Sequence, residues 1–198
     1  MPGRARLPAM NVALRQPMTV DEFLAWEEGQ ELRYEFDGFQ PVAMTGGTYE
    51  HDAIQVNLIR ALANRLAGKP CRTHGNSIKI EVMGRIRYPD AFVTCGPIKR
   101  GATVLHDPVV IFEVLSKGTA HTDRMVKNRE YASTASVRRY VMLEQGAIGA
   151  TVFERVGGDW VGHIITDDAV LHMPEIGIEI PLSELYEGVE LSVPTEDD

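Results

Sequence analysis

The sequence predicts an α/β fold, a central mixed β-sheet flanked by α-helices with additional C-terminal β-strands. Three observations predict it. Ile54, Leu58, Ile59, Leu62 and Leu66 recur at helical spacing and Gly68 closes that segment. "PVVIFEVLS", residues 108–116, is a continuous apolar run broken only by Glu113, the pattern of a central strand buried on both faces. "NSIKIEVM", residues 76–83, alternates apolar and polar residues as a half-buried strand does. The sheet is therefore expected to contain 78–83, 86–95 and 108–116, with helices near 49–67 and 123–133 against it.

The elements follow in order. Residues 1–17 read as a flexible N-terminal arm: the first twenty residues carry Arg4, Arg6, Arg15 and three prolines, and lack the apolar core of a secretory signal. "MTVDEFLAWEEG" reads as a short helix capped by Thr19, with Glu22 completing a capping box and Gly29 ending it. In "ELRYEFDGFQPVAM", Leu32, Tyr34 and Phe36 alternate with polar residues before Asp37-Gly38, a strong hairpin signal. After the second helix come the three strands, then "TDRMVKNREYAS" as a helix capped by Thr122 or Asp123. "VRRYVMLE" and "GATVFERVGGDWVGHII" read as strands, the latter a hairpin turning at Gly157-Gly158. A short turn at "PLSELYEG" precedes a flexible acidic tail, 191–198. One domain over 18–190 accounts for the whole pattern, and 198 residues suffice for a sizeable core.

Composition narrows the class. The apolar content, 44%, is ordinary for a globular protein, and the longest apolar run is too short to span a bilayer, so no membrane association is expected. Cys71 and Cys95 form neither a disulfide framework nor a metal-ligand spacing, and are expected to be reduced in a cytoplasmic protein. The formal charge is −8, which alone argues against a polyanionic partner. Its distribution is uneven: Arg85–Arg139 holds ten Lys/Arg against five Asp/Glu, net +5, while the remainder is −13.

Two acids stand out. In "RYPDAF", a continuous strand would put Asp90 on one face with Tyr88 and Phe92. Glu113 is surrounded in sequence by Ile111, Phe112, Val114 and Leu115. A buried carboxylate must be neutralised or find a cation. Two such acids on neighbouring strands suit one hard divalent ion, Mg²⁺ or Mn²⁺. Taken singly, each acid is equally accounted for by a salt bridge or a strand-end hydrogen bond.

The order "YEFDG" (34–38), "YEH" (49–51), "YPD" (88–90), "DPVVIFEVLS" (107–116), "DRMVKNREY" (123–131) and "VRRYVMLE" (137–144) resembles the PD-(D/E)XK nuclease superfamily. More closely, it is similar to a bacterial restriction-endonuclease-like branch, a domain of unknown function, over roughly residues 18–190. The resemblance implies a restriction-endonuclease-like fold and assigns roles. Asp90 and Glu113 would hold the metal, and Glu35 would be a third or water-mediated ligand. The general motif places Lys two residues after the acid, where Leu115 stands here; in this branch a Lys on the following helix takes the role, which is Lys127. Lys127 also lies four residues after Asp123, the spacing of an ordinary helical ion pair. Lys117, on the same strand face as Glu113, is a second candidate. His51, Ser116, Asp123 and Tyr131 are candidates to line the site, although a strand-end hydrogen bond (Ser116), a solvated histidine (His51) and helix packing (Tyr131) explain them as well.

The function expected from this resemblance is metal-dependent hydrolysis of phosphodiester bonds in DNA by an endonuclease, with Mg²⁺ or Mn²⁺ as cofactor and a homodimer as the assembly. The alternative is a catalytically inactive module of the same fold, binding nucleic acid or protein as a homodimer; Leu115 and the −13 remainder favour it. An RNA-cutting enzyme is a weaker alternative, because no aromatic-studded RNA-binding pattern is present.

Overall fold

A computed structural model describes residues 17–116 and 123–191, apart from the Asp123 side chain. The expected arm, apart from Pro17, and the acidic tail, apart from Leu191, lie outside the described residues, as does Lys117. No helix among the described residues is long and apolar enough to cross a membrane.

Helix α1, Val20–Glu27, starts as the sequence indicates: the Thr19 side chain accepts from the Glu22 backbone N–H, and Glu22 accepts in return from the Thr19 N–H. It packs Phe23 against Phe36, whose rings stack 5.1 Å apart. Strands β1 (Tyr34–Phe36) and β2 (Pro41–Ala43) form the hairpin predicted at Asp37-Gly38. Helix α2, Tyr49–Leu66, buries Ile54, Leu58, Leu62 and Leu66 on one stripe. Thr48 caps it by accepting from the His51 N–H.

Next come β3 (Arg72–Gly75), β4 (Lys79–Val82), β5 (Arg85–Arg87), β6 (Ala91–Thr94), β7 (Val104–Leu105) and β8 (Val110–Val114). A π-helical turn, Asp123–Lys127, runs directly into helix α3, Asn128–Ser133. Strands β9 (Arg139–Leu143), β10 (Gly149–Val156) and β11 (Asp159–Thr166) follow, the last two joined at Gly157-Gly158, where φ of 60° and 108° requires glycine. A short pair, β12 (Val170–Met173) and β13 (Ile178–Pro181), leads into a 3₁₀ helix, Leu182–Tyr186.

The mixed central sheet has the order β11-β10-β9-β8-β6-β3, with β8 and β9 parallel and the other neighbours antiparallel. Both faces of β8 are covered. Phe112 and Val114 join α2 and the C-terminal strands in one core; Ile111 and Leu115 join Tyr131, Tyr140 and Ile80 in another. Each such buried side chain contributes roughly 1.5–3 kcal/mol. Burial on both sides is the physical cause of the unbroken apolar run.

The structure corrects the sequence reading in three places. Residues 78–83 do not join the central sheet; β4 and β5 belong to a second sheet, ordered β2-β1-β5-β4-β7. The expected strand 86–95 is two strands: β5 ends at Arg87, Tyr88-Pro89-Asp90 crosses between the sheets, and β6 starts at Ala91. Proline lacks the N–H that a continuous ladder needs, so the break falls there. Asp90 is therefore turned inward by the crossover, not by strand alternation. Lastly, Cys71 and Cys95, expected to be reduced, are joined in a disulfide. They flank the pair Arg72↔Thr94 of the β3–β6 ladder, so the register sets them opposite each other.

Candidate active site

A cavity of about 890 Å³ opens where the two sheets meet. Glu35 from β1, His51 and Gln55 from α2, Asp90 from the crossover, Glu113 and Ser116 from β8 and its end, and Lys127 from the π-helical turn all line it. These residues are spread over 93 positions of sequence, Glu35 to Lys127, and only the fold joins them.

Each is held by a definable cause. The β6–β8 register pairs Ala91 with Phe112, so one step further Asp90 faces Glu113 across adjacent strands. The Val114 N–H donates to Asp90 Oδ2 at 2.7 Å, and His51 Nε2 lies 3.2 Å from the same oxygen. Gln55, one turn after His51, donates to the Asp90 carbonyl at 2.8 Å and fixes the crossover against α2. The Lys127 ammonium donates to Glu113 Oε1 at 2.8 Å and lies 3.4 Å from Glu35 Oε1. The positions of these groups leave Asp90, Glu113 and Lys127 all buried, at 8%, 5% and 7% exposure.

Behind them runs a second tier. Arg87 makes a two-pronged bond to Glu130, Nε to Oε2 at 2.8 Å and Nη2 to Oε1 at 2.7 Å, and reaches Glu35 Oε2 with Nη1 at 3.1 Å. Arg85 approaches Glu130 at 3.0 Å from the rim. The Tyr88 N–H donates to Glu35 Oε1 at 3.1 Å. Burial opposes ionisation of Glu35, but Lys127, Arg87 and the Tyr88 N–H outweigh it and hold the carboxyl below its usual range. Arg87 is likewise driven further toward the cation: burial works against it, and Glu130 and Glu35 overcome that.

The chain Glu130–Arg87–Glu35–Lys127–Glu113 thus alternates in sign. The Arg87–Glu130 pair cancels. Among the described residues lining the cavity, Glu35, Asp52, Asp90 and Glu113 stand against Lys127 and Arg33, an excess of negative charge. The carboxylate donor chemistry fits a hard divalent ion held by Asp90 and Glu113. No cluster of three or more His, Cys, Asp or Glu with metal-binding geometry occurs among the described residues, and Lys127 lies between Glu35 and Glu113.

Other expected site residues are placed differently. Tyr131 does not reach the cavity wall. It is fully buried behind it, edge-on to Tyr140 at 4.8 Å, with no hydrogen-bond partner for its hydroxyl among the described residues. Burial, and then the Glu113 charge, push its phenol well above its ordinary pKa. Asp123 opens the π-helical turn, and its side chain, like Lys117, lies outside what is described. Leu115 points into the apolar core with Ile80 and Tyr131, so a lysine there would have no polar destination. Arg87, Glu130 and Gln55 were not singled out by sequence. Their signal was present: Glu130 stands three residues after Lys127 on one helical face, and Gln55 four after His51.

The model of one protein family, Uma2, described as putative restriction endonuclease, matches residues 20–183. The chain belongs to this family. Two uncharacterized Synechocystis proteins are similar to it. One is 30% identical over 176 residues, covering 87% of this chain and 93% of that protein. The other is 23% identical over 153 residues, covering 75% and 86%. A crystal structure of a putative nuclease belonging to DUF820 from Anabaena variabilis superposes with a TM-score of 0.74 at 16% identity, over 86% of this chain and 98% of that one. At that identity the likeness establishes the fold, which is restriction-endonuclease-like. The Uma2 match spans all the cavity residues named above, from Glu35 to Lys127.

Proposed function

We propose that this Uma2 protein is a metal-dependent endonuclease that hydrolyses phosphodiester bonds in DNA. The observation that carries the reading is the arrival of Asp90, Glu113 and Lys127 in one buried cavity from three separate elements, with the ammonium 2.8 Å from Glu113. Asp90 and Glu113 would hold Mg²⁺ or Mn²⁺, with Glu35 as an outer ligand.

When bound, the ion polarises a phosphate oxygen and makes a nearby water more acidic. The chain does the rest. Val114 and His51 fix the Asp90 carboxylate toward the cavity. Lys127 offers its charge where negative charge grows on the phosphate. Its position between the Glu113 and Glu35 carboxylates suits charge stabilisation rather than base chemistry. The reading includes a homodimer, the commonest closed assembly of soluble proteins, and a cytoplasmic location beside the substrate.

The test pairs calorimetric Mn²⁺ titration with cleavage assays on single-stranded and plasmid DNA. Asp90→Asn and Glu113→Gln are expected to lose metal binding and cleavage together. Lys127→Met is expected to keep metal binding and lose cleavage by a hundredfold or more, on the order seen when one charge-stabilising group is removed. Mn²⁺ binding unchanged in Asp90→Asn, or no cleavage of any DNA by the parent, would favour a non-catalytic binding module. Light scattering checks the dimer.

A further inference from the structure

The shape of the cavity bears on which form of nucleic acid enters it, an inference that rests on the nuclease reading above. The acids and the lysine form a floor, not a surface: the side chains of Asp90, Glu113 and Lys127 are only 11%, 6% and 8% exposed. The stretch 42–49 and Arg33, Asn76 and Tyr88 line the cavity with them. A phosphate can meet the floor only if its backbone dips into the cavity. In a duplex, each phosphate is tied to a stacked base pair and a second backbone, which resist bending one phosphate out of line toward a recessed floor. A single strand has no such attachment.

The rim is furnished for an unpaired base. Tyr49, the first residue of α2, lines the cavity with 71% of its surface exposed, and Val42 of β2, 44% exposed, lines it too. Neither belongs to the hydrophobic core. Arg33 lines the same cavity, exposed, steadied by a 2.9 Å bond to the Asn76 carbonyl and lying 6.0 Å from the Tyr88 ring centre. An aromatic face beside a guanidinium is the pairing that single-strand binders use, the ring for the base and the cation for the backbone. Duplex binding instead draws on broad arrays of cations that neutralise many phosphates. Here the net charge is −8, and exposed Glu31 and Asp52 stand close to the mouth in sequence, one beside each of the rim elements.

We infer that the site takes a single-stranded segment of DNA, with one phosphate on the cavity floor, the adjoining base stacked on Tyr49 and the next phosphate on Arg33, and that continuous duplex is excluded. Free ends, flaps, gaps and unpaired loops then become the substrates, and a paired region must open before it can be cut.

The experiment measures fluorescence anisotropy of a labelled twelve-nucleotide oligothymidylate, and of the same strand annealed to its complement, with the full chain in Ca²⁺ in place of Mg²⁺. The single strand is expected to bind at least tenfold more tightly than the duplex. Tyr49→Ala is expected to weaken single-strand binding about 5- to 150-fold, the range of one lost base stack, and Tyr49→Trp to restore it. Tyr49 is exposed, so neither change threatens folding. Equal affinity for the duplex, or unchanged single-strand binding in Tyr49→Ala, overturns the inference. Single-strand binding that depends on Tyr49 without any cleavage in Mg²⁺ or Mn²⁺ would count against the nuclease reading and leave this one standing. Binding to neither form overturns both.

Discussion

Lys127 is a catalytic candidate and a structural member at once. Its ammonium is shared by Glu113 and Glu35, both largely buried. Lys127→Ala removes that shared cation and is expected to cost about 3–5 kcal/mol in the metal-free protein, since an uncompensated buried charge is left behind. Urea unfolding measures it. Added Mn²⁺ is expected to recover more stability in this variant than in the parent, because the ion supplies the missing positive charge. Arg87→Met is expected to fall in the same range, as it strips both Glu130 and Glu35 of a partner. Glu35 sets a pH dependence. Its folded pKa lies below the unfolded value, so its contribution is present above about 4.3 and fades as pH falls through the lower folded value. Glu35→Gln is therefore expected to flatten the acid side of the stability curve below about pH 4.3, while leaving the slope near neutrality unchanged. Urea midpoints across pH 3–7 decide this, and an acid limb as steep as the parent's would show that other carboxylates dominate.

Two short elements aim the site. The Tyr88-Pro89-Asp90 crossover delivers one acid from the seam between sheets, and the Tyr88 hydroxyl anchors it by donating to Glu27 of α1 at 2.8 Å. The π-helical turn delivers the lysine. Its wider winding meets α3 at Lys127, so that Lys127, Glu130 and Tyr131 all turn inward, at 7%, 5% and 0% exposure. Helix α1 holds the outer layer, and its capping box is exposed. Thr19→Ala is expected to cost about 1 kcal/mol and to leave metal binding untouched, because the cap lies outside the cavity. Thermal melts and Mn²⁺ titration of the same variant separate the two effects.

Across the whole molecule, the cavity lies at the junction of two sheets between which the chain passes repeatedly from β2 to β8. Anything that loosens their junction should be felt at the site before it unfolds the chain. The Cys71–Cys95 disulfide closes a loop with a sequence separation of 24 that contains β4, β5 and the crossover. By loop-closure entropy it stabilises by about 3–4 kcal/mol. Reduction, or a Cys71→Ser/Cys95→Ser pair, is expected to lower the urea midpoint without changing the far-ultraviolet circular dichroism of the folded protein.

Sequence alone determined the elements whose signals are local. The Thr19–Glu22 box, the stripe from Ile54 to Leu66, the Asp37-Gly38 and Gly157-Gly158 turns and the unbroken run of β8 all depend on neighbours within a few residues, and all appear where expected. The candidate acids and the helix-borne lysine were legible as well, since a Glu inside an apolar strand and the order of the motifs are written in the chain. What only tertiary structure decided was partnership. No local pattern says that β4 pairs away from the central sheet, that Pro89 marks a crossover, that Arg87 joins Glu130 at 43 residues' distance, or that Cys71 meets Cys95. Those facts follow from the register between distant strands. Register is fixed by which faces can be buried together, a property of the whole packed molecule.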